Sequence, residues 1–389
     1  GFIMLILSSW GYSQAAFNMV YDNDSTIDQA NSVVQTLDGG FIMLGNTLDD
    51  LFTFQELLVI KVDCGGNIEW TTQTSISYTG VSDWPASIIQ NSDSSYAISG
   101  TCYDSTGTHS QIFLGNMSST GNVNWINHYG GSGTESCLEM KKTKNGDFVL
   151  VGWTTTNSVG GTDGYIVKTD SNGNLLWEDS YGGNLDDEYR SVDIANDSTI
   201  IIGGRTFSFG LGGPDDLWMV KYSNMGGFLW DKTFGTVGDD YGDGIISTLD
   251  GGYAFVGGKE NGSQQDGYLV KTDSSGSIEW EQSYGNIALR ELFIDIEQLE
   301  DSSYIIAGQR YVTTITETEG WLLKTNSVGD SIWSITRGND NVNDYFNDVS
   351  LTTDNGFVVT GQFNRIGLPY QDVWLLKLDS LGCDSAACS

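Results

Sequence analysis

Six arginines are the residues of this sequence whose type and placement most invite chemistry. Arg190, Arg205, Arg290, Arg310, Arg337 and Arg365 all lie beyond residue 189, with Lys259 among them and Tyr189, Phe207, Tyr241, Phe293, Tyr311 and Phe363 close by. A guanidinium grips a carboxylate through two parallel hydrogen bonds, and an aromatic face stacks on a sugar ring. Such a basic arc could hold a carboxylated sugar or an acidic peptide. The chain carries 51 acidic against 17 basic side chains, however, so ordinary surface pairing of each Arg with a neighbouring carboxylate is the stronger expectation.

Metal and catalytic chemistry have less to offer. Asp22, Asp24 and Asp28 space oxygen ligands at alternate positions, as Ca²⁺ loops do, but the turn Gly and distal Glu of an EF-hand are missing. Ca²⁺ is therefore a weak candidate, and no other cofactor is expected. Zinc is disfavoured by a sequence with only two His, His109 and His128. No Gly-x-Ser-x-Gly elbow occurs, and among 51 acidic residues a carboxylate pair says nothing about a glycosidase. A binding protein is expected ahead of an enzyme.

The elements that must position these residues are repeats. A Gly-ended apolar strand returns seven times, at Asp38–Gly45, Asp93–Gly100, Asn145–Gly152, Asp197–Gly204, Asp250–Gly257, Asp301–Gly308 and Asp354–Gly361, at steps of 51 to 55 residues. That period points to a propeller. A second phrase follows, carrying Lys61, Lys168, Lys221, Lys271, Lys324 and Lys377 and closing on Trp70, Trp125, Trp177, Trp230, Trp280 and Trp333. The seventh closing strand is missing from the end and is found at the start, where Phe17 to Tyr21 matches Trp177 to Tyr181. The fold class is therefore all-β, a seven-bladed β-propeller of four-stranded antiparallel blades, with the N-terminal strand closing the last blade and leaving no open radial end.

In the fifth copy the strands are expected at Tyr241 to Thr248, Gly252 to Gly258, Gly267 to Thr272 and Ser277 to Tyr284 (a to d). Both tight turns, a to b and c to d, then share one face of the disc. The longer loops, such as Asn46 to Glu56 and Lys259 to Asp266, differ in every copy and occupy the other. Function concentrates in such loops, so the variable face is the candidate binding face. Residues present in every copy serve the blade instead. The acids Asp28, Asp83, Glu135, Asp187, Asp240, Glu291 and Asp344 are read as turn caps rather than a cation ring. The Trp residues are read as packing between blades, and the Lys residues as stems lying over the sheet with the ammonium in water.

Three regions are expected. Residues 1–16, with the apolar run Phe2 to Leu7, look like the remnant of a secretory signal; residues 17–382 form the propeller; residues 383–389 are a C-terminal tail. The mature chain has no run long enough to span a bilayer. A net charge of −34 argues against nucleic acid and anionic lipid. Cys383 and Cys388 could close a small disulfide loop, and a bridge between Cys102 and Cys137 is open.

The phrase Asp163-Gly164-Tyr165-Ile166-Val167-Lys168-Thr169-Asp170, running on to Gly173, Trp177 and Tyr181-Gly182-Gly183, resembles the repeats of secreted and cell-surface propeller proteins of Bacteroidetes. That resemblance implies export and a C-terminal sorting domain for type IX secretion, and Ser389 is reached without one. It brings no catalytic residues. The expectation is an exported adhesion or binding propeller with a glycan or protein partner. A polysaccharide lyase or glycoside hydrolase on the same face, or a structural surface subunit, are the alternatives.

Overall fold

In a computed structural model the chain is described over residues 14–384, except 23–26, 49–53, 78–80, 105, 211, 263, 286–288, 313–316, 340–341 and 367–370. The described residues form 28 strands and no helix. The strands make seven four-stranded antiparallel sheets, so the blade count and composition are as the repeats indicate. In blade five the strands are Tyr241–Ser247, Tyr253–Asn261, Gln264–Thr272 and Ile278–Tyr284. Strands b and c outrun expectation, because Lys259 pairs with Asp266, Glu260 with Gln265 and Asn261 with Gln264. What reads in sequence as a loop is the tip of a hairpin standing above the variable face.

Strand Phe17–Tyr21 pairs antiparallel with Gln371–Leu378, from Phe17 opposite Lys377 to Tyr21 opposite Val373. It is the outer strand of the sheet that holds blade seven. Side chains confirm the match. The Tyr21 hydroxyl donates to the Gly66 carbonyl at 2.7 Å, as Tyr129 does to Gly173 at 2.6 Å and Tyr284 does to Gly329.

Every c to d turn places a Gly at φ 77–87°: Gly66, Gly121, Gly173, Gly226, Gly276, Gly329 and Gly382. The preceding blade's Trp explains the constancy. A Cβ on Gly121 would stand 2.8 Å from Trp70, and one on Gly382 would stand 2.9 Å from Trp333; at Gly66 the neighbours are Phe17 and Met19, each at 3.2 Å. The same Trp rings pack on the next blade's aromatics, Trp70 on Tyr96 at 6.2 Å and Trp333 on Phe357 at 6.3 Å. The a to b turns also need a left-handed residue, yet Ser94, Ser198, Ser302 and Asn355 serve there beside Gly39, Gly146 and Gly251. No atom lies within 4 Å of a Cβ at Gly251. Gly121→Ala is therefore expected to cost at least about 2 kcal/mol, from backbone strain plus overpacking, whereas Gly251→Asn costs under about 1 kcal/mol. Denaturant unfolding of the two variants checks the contrast; equal losses would mean that the Trp contact does not select Gly.

Five of the six repeated lysines require a correction; Lys324 is not buried. Lys61, Lys168, Lys221, Lys271 and Lys377 are buried, between 0% and 7% exposed, and their ammonium groups are not in water. Each meets the carboxylate of its own blade's a to b turn: Asp38 at 3.1 Å, Asp147 at 3.4 Å, Asp197 at 3.6 Å, Asp250 at 2.9 Å and Asp354 at 3.1 Å. The stem crosses the sheet as expected. Its end is captured by the tight turn, which a buried ammonium needs to offset its lost hydration.

Five of the seven repeated acids, Asp83, Glu135, Asp187, Asp240 and Asp344, cap turns. Asp83 accepts from the Ile76 and Ser77 amides at 2.7 and 2.9 Å, and Asp187 from Gly183 at 2.7 Å. Asp344 accepts from Asn339 and Asn364 at 2.6 and 2.5 Å. All seven are fully buried, so they form no ring of exposed carboxylates. Cys102 and Cys137 are free thiols in different core clusters, which excludes a bridge between them. Cys388, and with it the pairing proposed for Cys383, lies outside the described residues, as do Asp24 and residues 1–13 of the signal-like segment.

Candidate functional site

The innermost strand of every blade carries a bulge at the same place, one residue after the position opposite strand b's final repeat Gly. The extra residues are Asn31, Ala86, Leu138, Arg190, Asp243, Ile294 and Asn347, and all seven line a central cavity of about 810 Å³. A bulge re-aims a side chain out of the sheet's alternation. Here it turns one residue per blade into the channel, and no blade-wide rule constrains its type.

Directly below runs a belt of interblade hydrogen bonds. Ser32, Ser87, Glu139, Ser191, Asp295 and Asp348 accept from the backbone N–H of Ile88, Met140, Val192, Ile245, Val349 and Val33, each in the next blade, at 2.6–3.3 Å. Blade five has Gly244 at this position and supplies no side chain. The channel acids Glu139, Asp295 and Asp348 are thus structural stitches, and Lys141 pairs with Glu139 at 3.2 Å among them. Burial pushes the Asp295 and Asp348 carboxyls up, and the two also hydrogen-bond to each other. Burial raises Glu297 to about 8, against the pull of Lys141.

These shifts set a pH dependence. A raised carboxyl binds its proton more tightly in the native state than in the unfolded chain, so its stabilisation is complete below about pH 4 and is lost as pH rises through its native value. Depressed carboxyls such as Asp38 and Asp250 act oppositely, with their losses confined to acid. The melting temperature is expected to peak near pH 5 and fall toward pH 9, with Asp348→Asn flattening the decline. A rise from pH 5 to 9 would contradict this assignment.

At the variable-face mouth, blades four and five bring part of the arginine set together. Arg205 grips Glu188 with Nε at 3.0 Å and Nη2 at 3.1 Å, and reaches Asp215 at 3.5 Å. Arg190 meets Asp243 at 2.5 Å and Glu188 at 3.2 Å. Both guanidiniums lie 5.0 Å from the centre of the Tyr241 ring, and Arg205 lies 5.7 Å from Phe207. Burial pushes the Asp215 carboxyl up to about 7 against the pull of Arg205.

The remaining cations do not join this cluster. Lys259 sits on the Tyr268 ring and pairs with Glu281; Arg290 donates to Gln265. Arg310 meets Glu291, Arg337 meets Asp384, and Arg365 meets Asp372 and Asp22. Asp22 is thereby engaged by a guanidinium and Asp28 is buried. Among the described residues no group of three or more His, Cys, Asp or Glu could hold a metal ion. Tyr189 and Phe293 are fully buried, each inside a core cluster. Tyr311 is half-buried at a hairpin tip opposite Thr318, and Phe363 packs on Trp374 at 5.4 Å.

The sequence reading passed over Trp84, Glu188, Asp215, Asp243 and Tyr345. Trp84 is 41% exposed at the mouth, 5.6 Å from Tyr103. A signal for it existed. The residue just before the Gly-facing position of strand a is Gln29, Trp84, Ser136, Glu188, Tyr241, Leu292 or Tyr345, different in nearly every blade while the acid before it repeats.

No family model and no curated protein matches the chain. Solved structures do. The fold is similar to that of polysaccharide lyase Uly1, with a TM-score of 0.58 and 9% identity over 96% of this chain and 94% of that one. It is similar to a catalytically inactive virginiamycin B lyase from Staphylococcus aureus with quinupristin (0.56, 12%, 92% and 98%) and to a protein of unknown function from Dyadobacter fermentans (0.50, 12%, 82% and 95%). At such identities the likeness carries the architecture and no activity, and it agrees with the strands: this chain is a seven-bladed β-propeller.

Proposed function

We propose that the protein is an exported, non-enzymatic propeller that presents one face to a glycan. The observation that carries the reading is the contrast between the two ends of the disc. On one face every c to d turn holds a Gly at positive φ and five of the seven blades seat a buried Lys on the a to b carboxylate; at the other mouth the seven channel-facing bulge residues are Asn, Ala, Leu, Arg, Asp, Ile and Asn. A rigid scaffold with variation confined to one concave mouth is what recognition needs. The apolar run Phe2 to Leu7 supports export. The test is a glycan-array screen of the purified chain with and without Ca²⁺: binding is the expected result, and silence across the array would count against it.

A second reading, a carbohydrate-active enzyme, draws on one observation. Asp215, pushed up to about 7 by burial, and Glu188 both reach Arg205, an arrangement in which Asp215 can give a proton beside a second carboxyl. Release of reducing or unsaturated sugar ends, lost in Asp215→Asn, would move the protein to that class.

A further inference from the structure

Within the glycan-binding reading, on which this inference rests, we infer that the ligand is an uncharged glycan seated on an aromatic and amide arc of blades seven, one and two, across the mouth from the arginines. The basic side is already spent. Arg190 and Arg205 meet three carboxylates, Glu188, Asp215 and Asp243, so a polyanion would have to displace partners that are held at 2.5–3.5 Å. Both faces of recognition are compromised there, since the Tyr241 ring is covered by the two guanidiniums.

The opposite arc offers what hydroxyls and a sugar ring's C–H face require. Trp84, Tyr345, Gln29, Asn31 and Asn347 line the same cavity, and none is charged. Their orientations are set by their own bonds. Asn347 donates to the Ala30 carbonyl at 2.9 Å, and Asn31 donates to the Pro85 carbonyl at 3.0 Å, each amide reaching the next blade. Gln29 donates to the Asn46 Oδ1 at 2.8 Å, and the Tyr345 hydroxyl donates to Gln362 at 2.6 Å. Asn31 Oδ1 and the Nδ2 of Asn46, whose side chain is 1% exposed, are buried without a protein partner. The side-chain amides of Gln29, Asn31 and Asn347 are neutral groups that both donate and accept, as the hydroxyls of an uncharged sugar do. Trp84 supplies the stacking face.

The experiment is a screen of uncharged, uronate-bearing and sulfated glycans, followed by titration of the best ligand against wild type, Trp84→Ala and Trp84→Phe at low and high salt. Uncharged ligands are expected, with affinity nearly independent of salt, a loss of about tenfold or more in Trp84→Ala, and retention in Trp84→Phe, which keeps a ring and reports that the mouth is folded. Polyanionic ligands with a steep salt dependence would overturn the uncharged class while leaving glycan binding intact. Uncharged ligands indifferent to Trp84→Ala would overturn the arc. Absence of any glycan binding would overturn the arc together with the reading beneath it.

Discussion

Removing every residue up to Tyr21 is expected to lower the melting temperature by roughly 10–20 °C and to broaden the transition. The deletion strips blade seven of its outer strand and exposes the unpaired edge of Gln371–Leu378, which the ring otherwise hides. Phe17 and Tyr21 are 7% and 8% exposed, and burying each such ring contributes about 1.5–3 kcal/mol. The ladder and the Tyr21 bond to Gly66 add about 1 kcal/mol per hydrogen bond, for a total on the order of 5–10 kcal/mol. The Asp348 to Val33 stitch joins blade seven to blade one independently of the strand, so the truncated chain is expected to stay folded at low temperature. Calorimetry reads the loss. A transition unmoved by the deletion would mean that closure is carried by the inner strands alone.

Lys377→Met is expected to cost about 3–5 kcal/mol, the usual penalty for stranding one member of a buried pair. Lys377 is fully buried and bonds both Asp354 oxygens at 3.1 Å and the Leu378 carbonyl at 2.8 Å. Blade two uses a neutral arrangement at this place: Asn116 donates to Ser95 Oγ at 3.2 Å, and Asp93 turns to Ser95 instead. The double variant Lys377→Asn, Asp354→Asn is therefore expected to recover at least half of the loss. If the single variant cost less than about 1 kcal/mol, the pair would behave like an exposed one.

The architecture was legible because propeller blades are local. Each repeat encodes its own two hairpins, and the missing closing strand could be located simply by matching Phe17 to Tyr21 with the Trp phrase. Interactions that cross between chain segments were harder to read. The lysines look amphipathic along strand c, and nothing in that alternation tells that the a to b carboxylate folds over to cover the ammonium. The arginines were visible as an uneven distribution, but their carboxylates come from other strands, as Arg190 and Asp243 show. The bulge was the least legible feature. By inserting one residue it shifts the alternation of everything after it, so no single period-2 pattern along strand a tells which side chains line the cavity. Trp84 could have been found by the rule that singled out the arginines, that a residue departing from the repeat is free to serve a ligand.

The division of labour between the two faces can be measured with one reagent. Cys64 is exposed on the tight-turn face, and Thr108 is exposed in the blade-two hairpin of the variable face. In a Cys383→Ser, Cys388→Ser background, a polymer-maleimide attached at Cys64, or at position 108 after Thr108→Cys and Cys64→Ser, blocks one face at a time. Glycan binding is expected to survive the label at Cys64 and to be abolished by the label at position 108. Binding lost on labelling Cys64 and kept on labelling position 108 would place recognition on the wrong face of the disc and contradict the account.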